Sequence, residues 1–359
     1  MSETIFFIVP YPFGEAPSQR FRFEQYLTFL EENGYKIHIH PFLNDSTWKT
    51  LYQEGNTLKK IAGISGSFWR RFLLLFQLRR ANHIYIHREA AQLGPPIFEW
   101  IIAKVLRRKF IYDFDDAIWL PNYSDTNARF QRLKSYWKVN YCMKWADKIT
   151  AGNAYLANYA KQYNSNVQII PTTIDTIHHH NRVSNQSTEK PTIGWTGTHT
   201  TMHYLEEILP IIIDLENDFS FDFLIISNEP PRFELTSLKF IKWSKETEIE
   251  DLAKITIGIM PLKQDIWSEG KCGFKGLQYM ALEIATVLAP IGVNKTIIED
   301  SKNGFLAENL AEWKEKLTVL LENEAKRIQL GKAGKRTIDE RFSVVANQEK
   351  YLKLFTNKS

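Results

Sequence analysis

The chain has 359 residues, of which 44% are hydrophobic and 24% charged, and its formal net charge at pH 7 is +4. This length favours two domains, and the composition is ordinary for a folded globular protein. The small positive charge fits phosphorylated ligands or an anionic membrane surface, and it argues against nucleic acid as a partner.

The N-terminus and the cysteines indicate a compartment. The first residues lack the basic start and the small-residue cleavage site of a signal peptide. The sequence has no apolar run of the roughly 18 residues needed to span a bilayer. Cys142 and Cys272 lie far apart in unlike surroundings, which favours reduced thiols. We therefore expect a cytoplasmic protein, free or peripheral on the cytoplasmic face of the membrane.

The first 41 residues predict a βαβ unit. An apolar strand over residues 5–9 is followed by a loop that contains Gly14, a helix over 20–33 and a strand over 35–41. Open α/β sheets bind ligands at the carboxyl ends of their strands. The loop with Gly14 and the arginines at the helix start, Arg20 and Arg22, are therefore candidate ligand contacts. A solvated helix face is the equally open alternative for the two arginines.

A long apolar helix is predicted within residues 57–81, with arginine pairs at 70–71 and 79–80. The pattern favours a helix that covers the sheet while its arginines reach towards water. An interfacial helix that docks on anionic lipid is the alternative.

Polar residues follow the next two predicted strands. Arg88 follows a strand at residues 83–87, and Asp113, Asp115 and Asp116 lie at the end of a strand at 110–114. Clustered carboxylates are costly unless they accept substrate hydroxyls, bind a metal or cap a helix. Asp113 and Asp115 match the Asp-x-Asp pattern of metal-dependent sugar-nucleotide enzymes. A three-residue match is weak, and we expect no metal.

A helix at 127–146, a strand at 149–152, a helix at 153–163 and a strand at 167–171 complete the first domain. Residues 176–190 lose all periodicity and predict an inter-domain linker. We expect the three histidines within it, at 178–180, to be solvated. The predicted βα alternation then restarts, with strands at 192–195, 221–226, 238–242, 255–260 and 286–290.

The segment 267–292 has the pattern of an anion-binding loop that enters a helix. Gly270 and Gly273 alternate with Lys271 and Lys275, and an apolar helical pattern follows. Glycines let the backbone approach a ligand, free N–H groups point at it, and lysines add positive charge. Helices are predicted for most of the remaining chain.

Nine segments, in order along nearly the whole chain, resemble the GT-B group 1 (family-4-like) glycosyltransferases, retaining nucleotide-sugar enzymes of cell-surface polysaccharide synthesis. The segments are SQRFRFEQYL, YDFDDAIW, ITAGNAYLANYA, VQIIPTTID, IGWTGTHTT, IGIMPL, KCGFKGLQYMA, SKNGFLA and GKAGKRTIDERFS. The resemblance implies an α/β protein of the GT-B class, with two Rossmann-like doubly wound domains facing a cleft. We expect an acceptor domain over 1–175, a linker over 176–190, a donor domain over 191–340, and a last helix at 341–359 that crosses back to the first domain.

The resemblance also assigns a donor site. Gly194 and Gly197 match the glycine turn near the donor diphosphate, and Trp243 lies near the position that accommodates the base. Lys275 matches the lysine of the Lys-x-x-Glu segment, and Gln278 matches the acidic residue that holds the ribose. The full set of expected donor contacts is Gly194, Gly197, Thr198, Trp243, Gly273, Phe274 and Gln278.

The sequence departs from the family pattern at this site. Where many members have an Arg and a Lys after the glycine turn, residues 198–201 read Thr-His-Thr-Thr. We expect Lys271 and Lys275 to replace those cations. Gln278 can still hydrogen-bond a hydroxyl, but it lacks the charge of a carboxylate. These changes leave the identity of the donor open.

The sequence therefore predicts a glycosyltransferase that moves a sugar from a nucleotide-sugar donor to a glycan or lipid-linked acceptor. The resemblance implies retention of configuration, and we expect no metal and no cofactor besides the donor substrate. Lys275, Lys271 and Asp116 are the expected catalytic residues, and the expected acceptor contacts are Gly14, Arg20, Arg22, Arg88 and Asp115. Two alternatives stay open: a metal-dependent transferase that uses Asp113 and Asp115, and a non-catalytic GT-B protein that partners another transferase.

Overall fold

The computed structural model describes residues 2–51, 53, 55–121 and 134–356. The chain forms two compact units, one of residues 1–172 with 348–359 and one of residues 173–347. Each unit is built on a six-stranded sheet whose neighbouring strands are parallel. The predicted pair of doubly wound α/β domains is thus confirmed.

The sheet of the first unit has the order β2-β1-β3-β4-β5-β6. Its strands are β1 (Thr4–Val9), β2 (Lys36–Pro41), β3 (His83–His87), β4 (Ile111–Phe114), β5 (Lys148–Ala151) and β6 (Val167–Ile169). The inner strands β1, β3 and β4 are almost wholly buried. Helices cover both faces of a parallel sheet, which explains why these strands read as continuous apolar runs.

The helices of the first unit differ in detail from the predicted ones. The helix expected over 20–33 is divided into Pro17–Arg20, a short 3-10 segment and Leu27–Glu32. The long helix is Thr57–Gln77, and Ile97–Trp100 continues as a π-helical turn at Ile101–Val105. Further helices in the described part of this unit are Asp45–Leu51, Lys138–Trp145, Ala154–Ala160 and the 3-10 helix Leu78–Arg80. Residues 127–133 of the predicted helix 127–146 lie outside the described residues.

The sheet of the second unit has the order β12-β11-β10-β7-β8-β9. Its strands are β7 (Thr192–Gly197), β8 (Asp222–Ser227), β9 (Leu238–Lys242), β10 (Ile257–Met260), β11 (Ala285–Leu288) and β12 (Phe305–Leu306). Its helices include the 3-10 helix His199–Glu207 and the α-helices Leu209–Asp218, Glu248–Leu252, Ile266–Glu269, Phe274–Ala281, Asn294–Ile297, Leu310–Glu322 and Glu324–Thr337. Buried side chains form a core on each face of the sheet.

Two segments near the unit boundaries have structural contacts of their own. Residues 176–190, predicted as a linker, belong to the second unit, where His180 and Ser184 are buried and the Ser184 hydroxyl donates to the Ile255 carbonyl. The helix Val344–Leu352 begins in the second unit and ends in the first. There the ring of Tyr351 stacks on Tyr26, with 4.2 Å between centroids.

No helix in the described part of the chain has both the length and the apolarity needed to cross a membrane.

Candidate functional site

The turn at the end of β7 meets the helix Phe274–Ala281. The ammonium group of Lys275 lies 5.4 Å from the ring centroid of the buried Trp195. A Cβ atom on Gly197 would fall 2.5 Å from the Trp195 ring and 2.9 Å from Cε of Lys275. The Thr196 N–H donates to the hydroxyl of Tyr279 at 3.0 Å, one helical turn after Lys275. A larger residue at position 197 would therefore displace the lysine side chain.

The start of this helix requires a glycine. Gly273 precedes the first helical residue with φ of +69°, and a Cβ there would lie 2.3 Å from Cδ1 of Ile297. The first helical turn contains no acidic residue, so Lys275 adds its charge to the positive end of the helix dipole. A bound anion would be attracted by both the lysine and the backbone N–H groups at the positive end of the helix.

Lys271 is held by aromatic rings close to this turn. Its ammonium group lies 5.6 Å from the ring centroid of Tyr204 and 5.9 Å from that of Trp267. Tyr204 belongs to the 3-10 helix that follows β7, and its hydroxyl lies 3.2 Å from that of Ser268. Lys271 thus contacts the 3-10 helix His199–Glu207, which follows Gly197 in the chain.

The loops after β7 and β8 are joined through His199. Its N–H donates to Oδ1 of Asn228 at 2.9 Å, its Nδ1 lies 2.9 Å from Nδ2 of Asn228, and Glu229 lies 3.4 Å away. The hydroxyl of the exposed Thr198 lies 2.7 Å from that of Thr200. Polar groups therefore cluster at the carboxyl ends of two adjacent strands. Asn228 and Glu229 were missed because no local pattern marks them.

Gln278 lies in a buried polar cluster. Its amide nitrogen is 3.3 Å from Nε2 of His180 and 3.5 Å from Oε1 of Glu248. The other Glu248 oxygen lies 3.7 Å from Nε2 of His179. His180 is fully buried, so the expectation that the three histidines are solvated is wrong for this residue. Glu248 therefore places a carboxylate beside Gln278, which has none of its own. The two residues are 30 positions apart in the sequence.

Three predicted donor residues have packing contacts within the second unit. Gly194 lies within β7, where a Cβ would fall 2.3 Å from Cγ1 of Ile255, so its small size lets that side chain pack on the sheet. Trp243 packs against the core cluster on one face of the sheet, and its backbone N–H donates to the Ser227 carbonyl. Phe274 is the first residue of the helix and is half-buried.

In the first unit, Asp113 is the centre of a buried network. Its carboxylate accepts from the Arg22 guanidinium, from Nδ1 of His87 at 2.7 Å and from the Thr150 hydroxyl at 2.6 Å. Burial would raise the pKa of Asp113, but Arg22 and His87 hold it well below its usual range. Arg22 also donates to the Ile170 carbonyl, and Arg22 and Ile170 are both almost inaccessible to water.

This network bears on two expectations, the acceptor contact of Arg22 and the alternative metal site. Arg22 is engaged inside the protein and is not placed to contact an acceptor. Both oxygens of Asp113 are occupied, so the alternative metal site of Asp113 and Asp115 lacks its first ligand. Among the described residues, no group of three His, Cys, Asp or Glu side chains is arranged to hold a metal ion.

Arg88, Asp115 and Asp116 form a polar group at the ends of β3 and β4. Arg88 has φ of +59°, a conformation that is uncommon outside glycine, and it donates to Asp115 at 2.7 Å and 2.6 Å. Burial would lower the pKa of Arg88, but Asp115 and Asp116 raise it above its ordinary value. Both carboxylates are partly exposed, and one oxygen of Asp116 accepts from the Ala117 N–H. The group is therefore accessible to a hydroxyl-bearing ligand.

The loop after β1 is fixed by two buried residues that were not predicted. Gly14, with φ of +76°, donates its N–H to Glu24 at 2.9 Å. The Gln19 amide donates to the other Glu24 oxygen at 3.0 Å and accepts from the Tyr11 N–H at 2.9 Å. Arg20 is mostly buried, with its guanidinium 5.0 Å from the Phe21 ring centroid. The solvated-face alternative is thus wrong for both Arg20 and Arg22.

Part of the chain matches a protein family. Residues 190–323, within the second unit, match the family model described as "Glycosyl transferases group 1". No curated protein sequence matches the chain.

Solved structures match over the whole chain. A glycosyltransferase of Rickettsia africae is 11% identical with a TM-score of 0.68, covering 99% of this chain and 98% of its own. Sucrose-phosphate synthase of Thermosynechococcus elongatus is 10% identical with a TM-score of 0.67, covering 98% of each chain. HepE of Anabaena, in complex with UDP-glucose, is 14% identical with a TM-score of 0.66, covering 99% of each chain. At these identities, the likeness establishes a shared fold.

Proposed function

We propose that this chain, a glycosyltransferase of the GT-B fold with a group 1 domain over residues 190–323, transfers a sugar from a nucleotide-sugar donor to a glycan or lipid-linked acceptor. The products would belong to cell-surface polysaccharide synthesis. The protein would act in the cytoplasm, with peripheral contact to the inner membrane where a lipid-linked acceptor is used.

The observation that supports a diphosphate-binding site most directly is the position of Lys275. Its side chain lies over the backbone at Gly197, and the residue belongs to the first turn of a helix, whose positive end attracts an anion. A lysine at the positive end of a helix is unfavourable without an anion nearby. A nucleotide-sugar carries such an anion in its diphosphate, and HepE, which has this fold, binds UDP-glucose.

The same groups would assist the chemical step. As the bond between the anomeric carbon and the diphosphate breaks, negative charge grows on the departing oxygen. Lys275, Lys271 and the N–H groups at Gly197 and Gly273 would stabilise this charge, and one such donor is typically worth about 3–4 kcal/mol. The acceptor oxygen forms the new bond from the same face, and its proton passes to the leaving diphosphate. Configuration at the anomeric carbon is then retained.

The first unit would contribute the acceptor contacts. Arg88 is held in its unusual backbone conformation by Asp115 and by the Tyr112 hydroxyl, which donates to its carbonyl at 2.6 Å. Asp115 and Asp116 remain partly exposed and can accept hydrogen bonds from sugar hydroxyls. We assign Asp116 the role of orienting the acceptor oxygen, since its carboxylate is partly exposed directly after β4, beside Arg88 and Asp115.

A nucleotide-release assay tests the function. Purified protein is incubated with a panel of UDP-, GDP- and ADP-sugars without acceptor, and released nucleotide is measured by chromatography. We expect slow release from one donor, strong loss of release in Lys275→Ala, and normal release in Lys332→Ala, a control at an exposed position of the helix Glu324–Thr337. Donor binding without release from any sugar, with or without glycan acceptors, would favour the non-catalytic alternative.

We also predict that catalysis needs no metal. The positive groups at the helix start would neutralise the diphosphate, as a metal ion does in other transferases. Activity should survive EDTA, and added magnesium or manganese should not increase it. Loss of activity in EDTA that is restored by either ion would contradict this prediction.

A further inference from the structure

The helix Thr57–Gln77 is apolar on both sides. Its inner side is buried at residues that include Leu74 and Leu75. Its outer side carries Trp69, Phe72, Leu73 and Phe76, which are 62%, 43%, 43% and 65% exposed. The spacing of these four residues places them in one stripe on the helix surface. Phe72 contacts both neighbouring rings, with centroid distances of 5.8 Å to Trp69 and 5.6 Å to Phe76.

The neighbouring helix extends this stripe. Phe68 and Phe98 pack with 6.0 Å between their ring centroids, which joins the long helix to Ile97–Trp100. Ile97 and Trp100 on that helix are also exposed, and an apolar groove lies between the two helices. We call the exposed side chains Trp69, Phe72, Leu73, Phe76, Ile97 and Trp100 the aromatic face. Exposed apolar side chains are common singly, but a contiguous set of this kind marks an interaction site.

The charges around the aromatic face are almost all positive. Residues 57–81 and 97–109 contain 10 of the chain's 45 Lys and Arg residues but only one of its 41 Asp and Glu residues. That acidic residue, Glu99, is buried and accepts from the Ala90 N–H at 2.8 Å, and one of the ten cations, Arg71, is buried as well. Arg79, Arg80, Lys104 and Arg107 are exposed. Since acidic and basic residues nearly balance in the chain as a whole, this local excess calls for an anionic partner.

We propose that the aromatic face docks on a bilayer that contains anionic lipid. Trp69, Phe72 and Phe76 would enter the boundary between headgroups and acyl chains, as amphipathic interfacial helices do, and the surrounding cations would bind lipid phosphates. A bilayer offers apolar depth and negative charge together over a wide area, which an acidic soluble partner does not. Docking rests on the proposed function only in that it would bring the enzyme to a lipid-linked acceptor.

Vesicle co-sedimentation of the full-length protein tests docking. Vesicles of phosphatidylcholine alone are compared with vesicles that contain about one third phosphatidylglycerol, at low and high salt. We expect the wild type to bind the anionic vesicles and to be released by salt. Arg79→Gln/Arg80→Gln should weaken binding about 25-fold at low salt, since each cation near an anionic surface contributes about fivefold. Phe72→Ser/Phe76→Ser should weaken binding by at least tenfold at both salt concentrations.

Two matched controls lie on the second unit. Ile213→Ser removes an exposed apolar side chain, and Lys332→Gln/Arg336→Gln removes two exposed cations from one helix. Both control variants should bind as the wild type does. Since all the substituted residues are exposed, melting temperatures should stay near that of the wild type, and the arginine variant provides an independent test if the phenylalanine variant fails to fold.

Three results would overturn the proposal: no binding of the wild type to anionic vesicles, equal binding of all variants, or self-association through the aromatic face without vesicle binding. The function and the docking fail separately. Nucleotide release needs no vesicles, so a protein that releases nucleotide but does not bind anionic vesicles contradicts docking alone. A protein that binds vesicles through this face but releases no nucleotide contradicts the proposed function alone.

Discussion

Replacement of Lys275 tests the centre of the candidate donor site. Two effects act on stability without ligand, and they have opposite signs. Loss of the contact with the buried Trp195 ring, 5.4 Å from the ammonium group, should cost about 0.5–2 kcal/mol. Relief of repulsion from the helix dipole should return about 0.3–1 kcal/mol. We therefore expect Lys275→Ala to change the free energy of unfolding by less than about 2 kcal/mol.

Catalysis should respond much more strongly. One group that stabilises a leaving group is worth about 3–4 kcal/mol, and each 1.36 kcal/mol is a tenfold change in rate. Lys275→Ala should therefore lower kcat/KM for the nucleotide-sugar at least a hundredfold. Lys275→Met separates charge from packing, because it keeps an unbranched chain over Gly197 and Trp195. We expect Lys275→Met to lose as much activity as Lys275→Ala while its melting temperature stays closer to the wild type.

Steady-state kinetics with the donor identified in the panel and thermal unfolding without ligand provide the two measurements. Near-normal kcat/KM in Lys275→Met would refute the assigned role, since a surface lysine would give that result. A collapse of melting temperature in both variants would show that the residue is structural, and the anion site would then have to lie elsewhere.

Three further predictions concern buried charges. Asp113→Asn should destabilise the first unit by about 3–5 kcal/mol, because it leaves the Arg22 guanidinium buried without its counter-charge. Burial, with smaller effects of neighbouring cationic groups, lowers the pKa of His40 to about 4. The unfolded chain then binds more protons than the folded one below about pH 6.5, so stability should fall as the pH falls from about 6.5 to about 4. Gln278→Glu should lower the melting temperature more at pH 8 than at pH 5, because it adds a second buried carboxylate beside Glu248.

Each of these predictions has a control. For the ion pair, Arg22→Met/Asp113→Asn should recover part of the loss, and equal damage in the single and double variants would argue against an unpaired charge as the cause. For His40, the variant His40→Gln should flatten the decline between pH 6.5 and 4, and an unchanged decline would assign it to other groups. For Gln278→Glu, the additional change Glu248→Gln should restore stability at pH 8. A pH-independent loss would point to packing.

The strands were predictable because each buried strand is a short run of apolar residues that are neighbours in the sequence. β1, β3 and β10 are short apolar runs, as expected of parallel strands covered on both faces. β12 has only two residues, Phe305–Leu306, and it was missed because so short a segment has no periodicity of its own. Residues 176–190, predicted as a linker, are part of the second unit. Their polar composition resembles a solvated segment, yet Ser184 is buried because it bonds to the backbone of the second unit.

The candidate site was predictable only where its residues are neighbours in sequence. Gly273 and Lys275 could be identified from the local sequence pattern of a loop that enters a helix. The pairing of Arg22 with Asp113 joins positions 91 residues apart, and nothing in either segment distinguishes a buried ion pair from two ligand contacts. The resemblance to a family placed Gly194 at the donor for the same reason that it placed Gly197, because both glycines lie in one motif. In the structure their surroundings differ, because Ile255 packs where a Cβ of Gly194 would lie, whereas Trp195 and Lys275 pack at Gly197.

The amide at position 278 follows from what surrounds it. A carboxylate there would put an oxygen about 3.5 Å from Oε1 of Glu248, and at an effective dielectric of about 20 their repulsion would be roughly 5 kcal/mol. The cluster can accommodate one buried carboxylate, whose other oxygen lies 3.7 Å from His179, but a second would need a proton of its own. The carboxylate of this cluster belongs to Glu248, the first residue of the helix Glu248–Leu252, where the helix dipole favours a negative charge. A neutral amide at position 278 is therefore what the neighbouring Glu248 carboxylate favours.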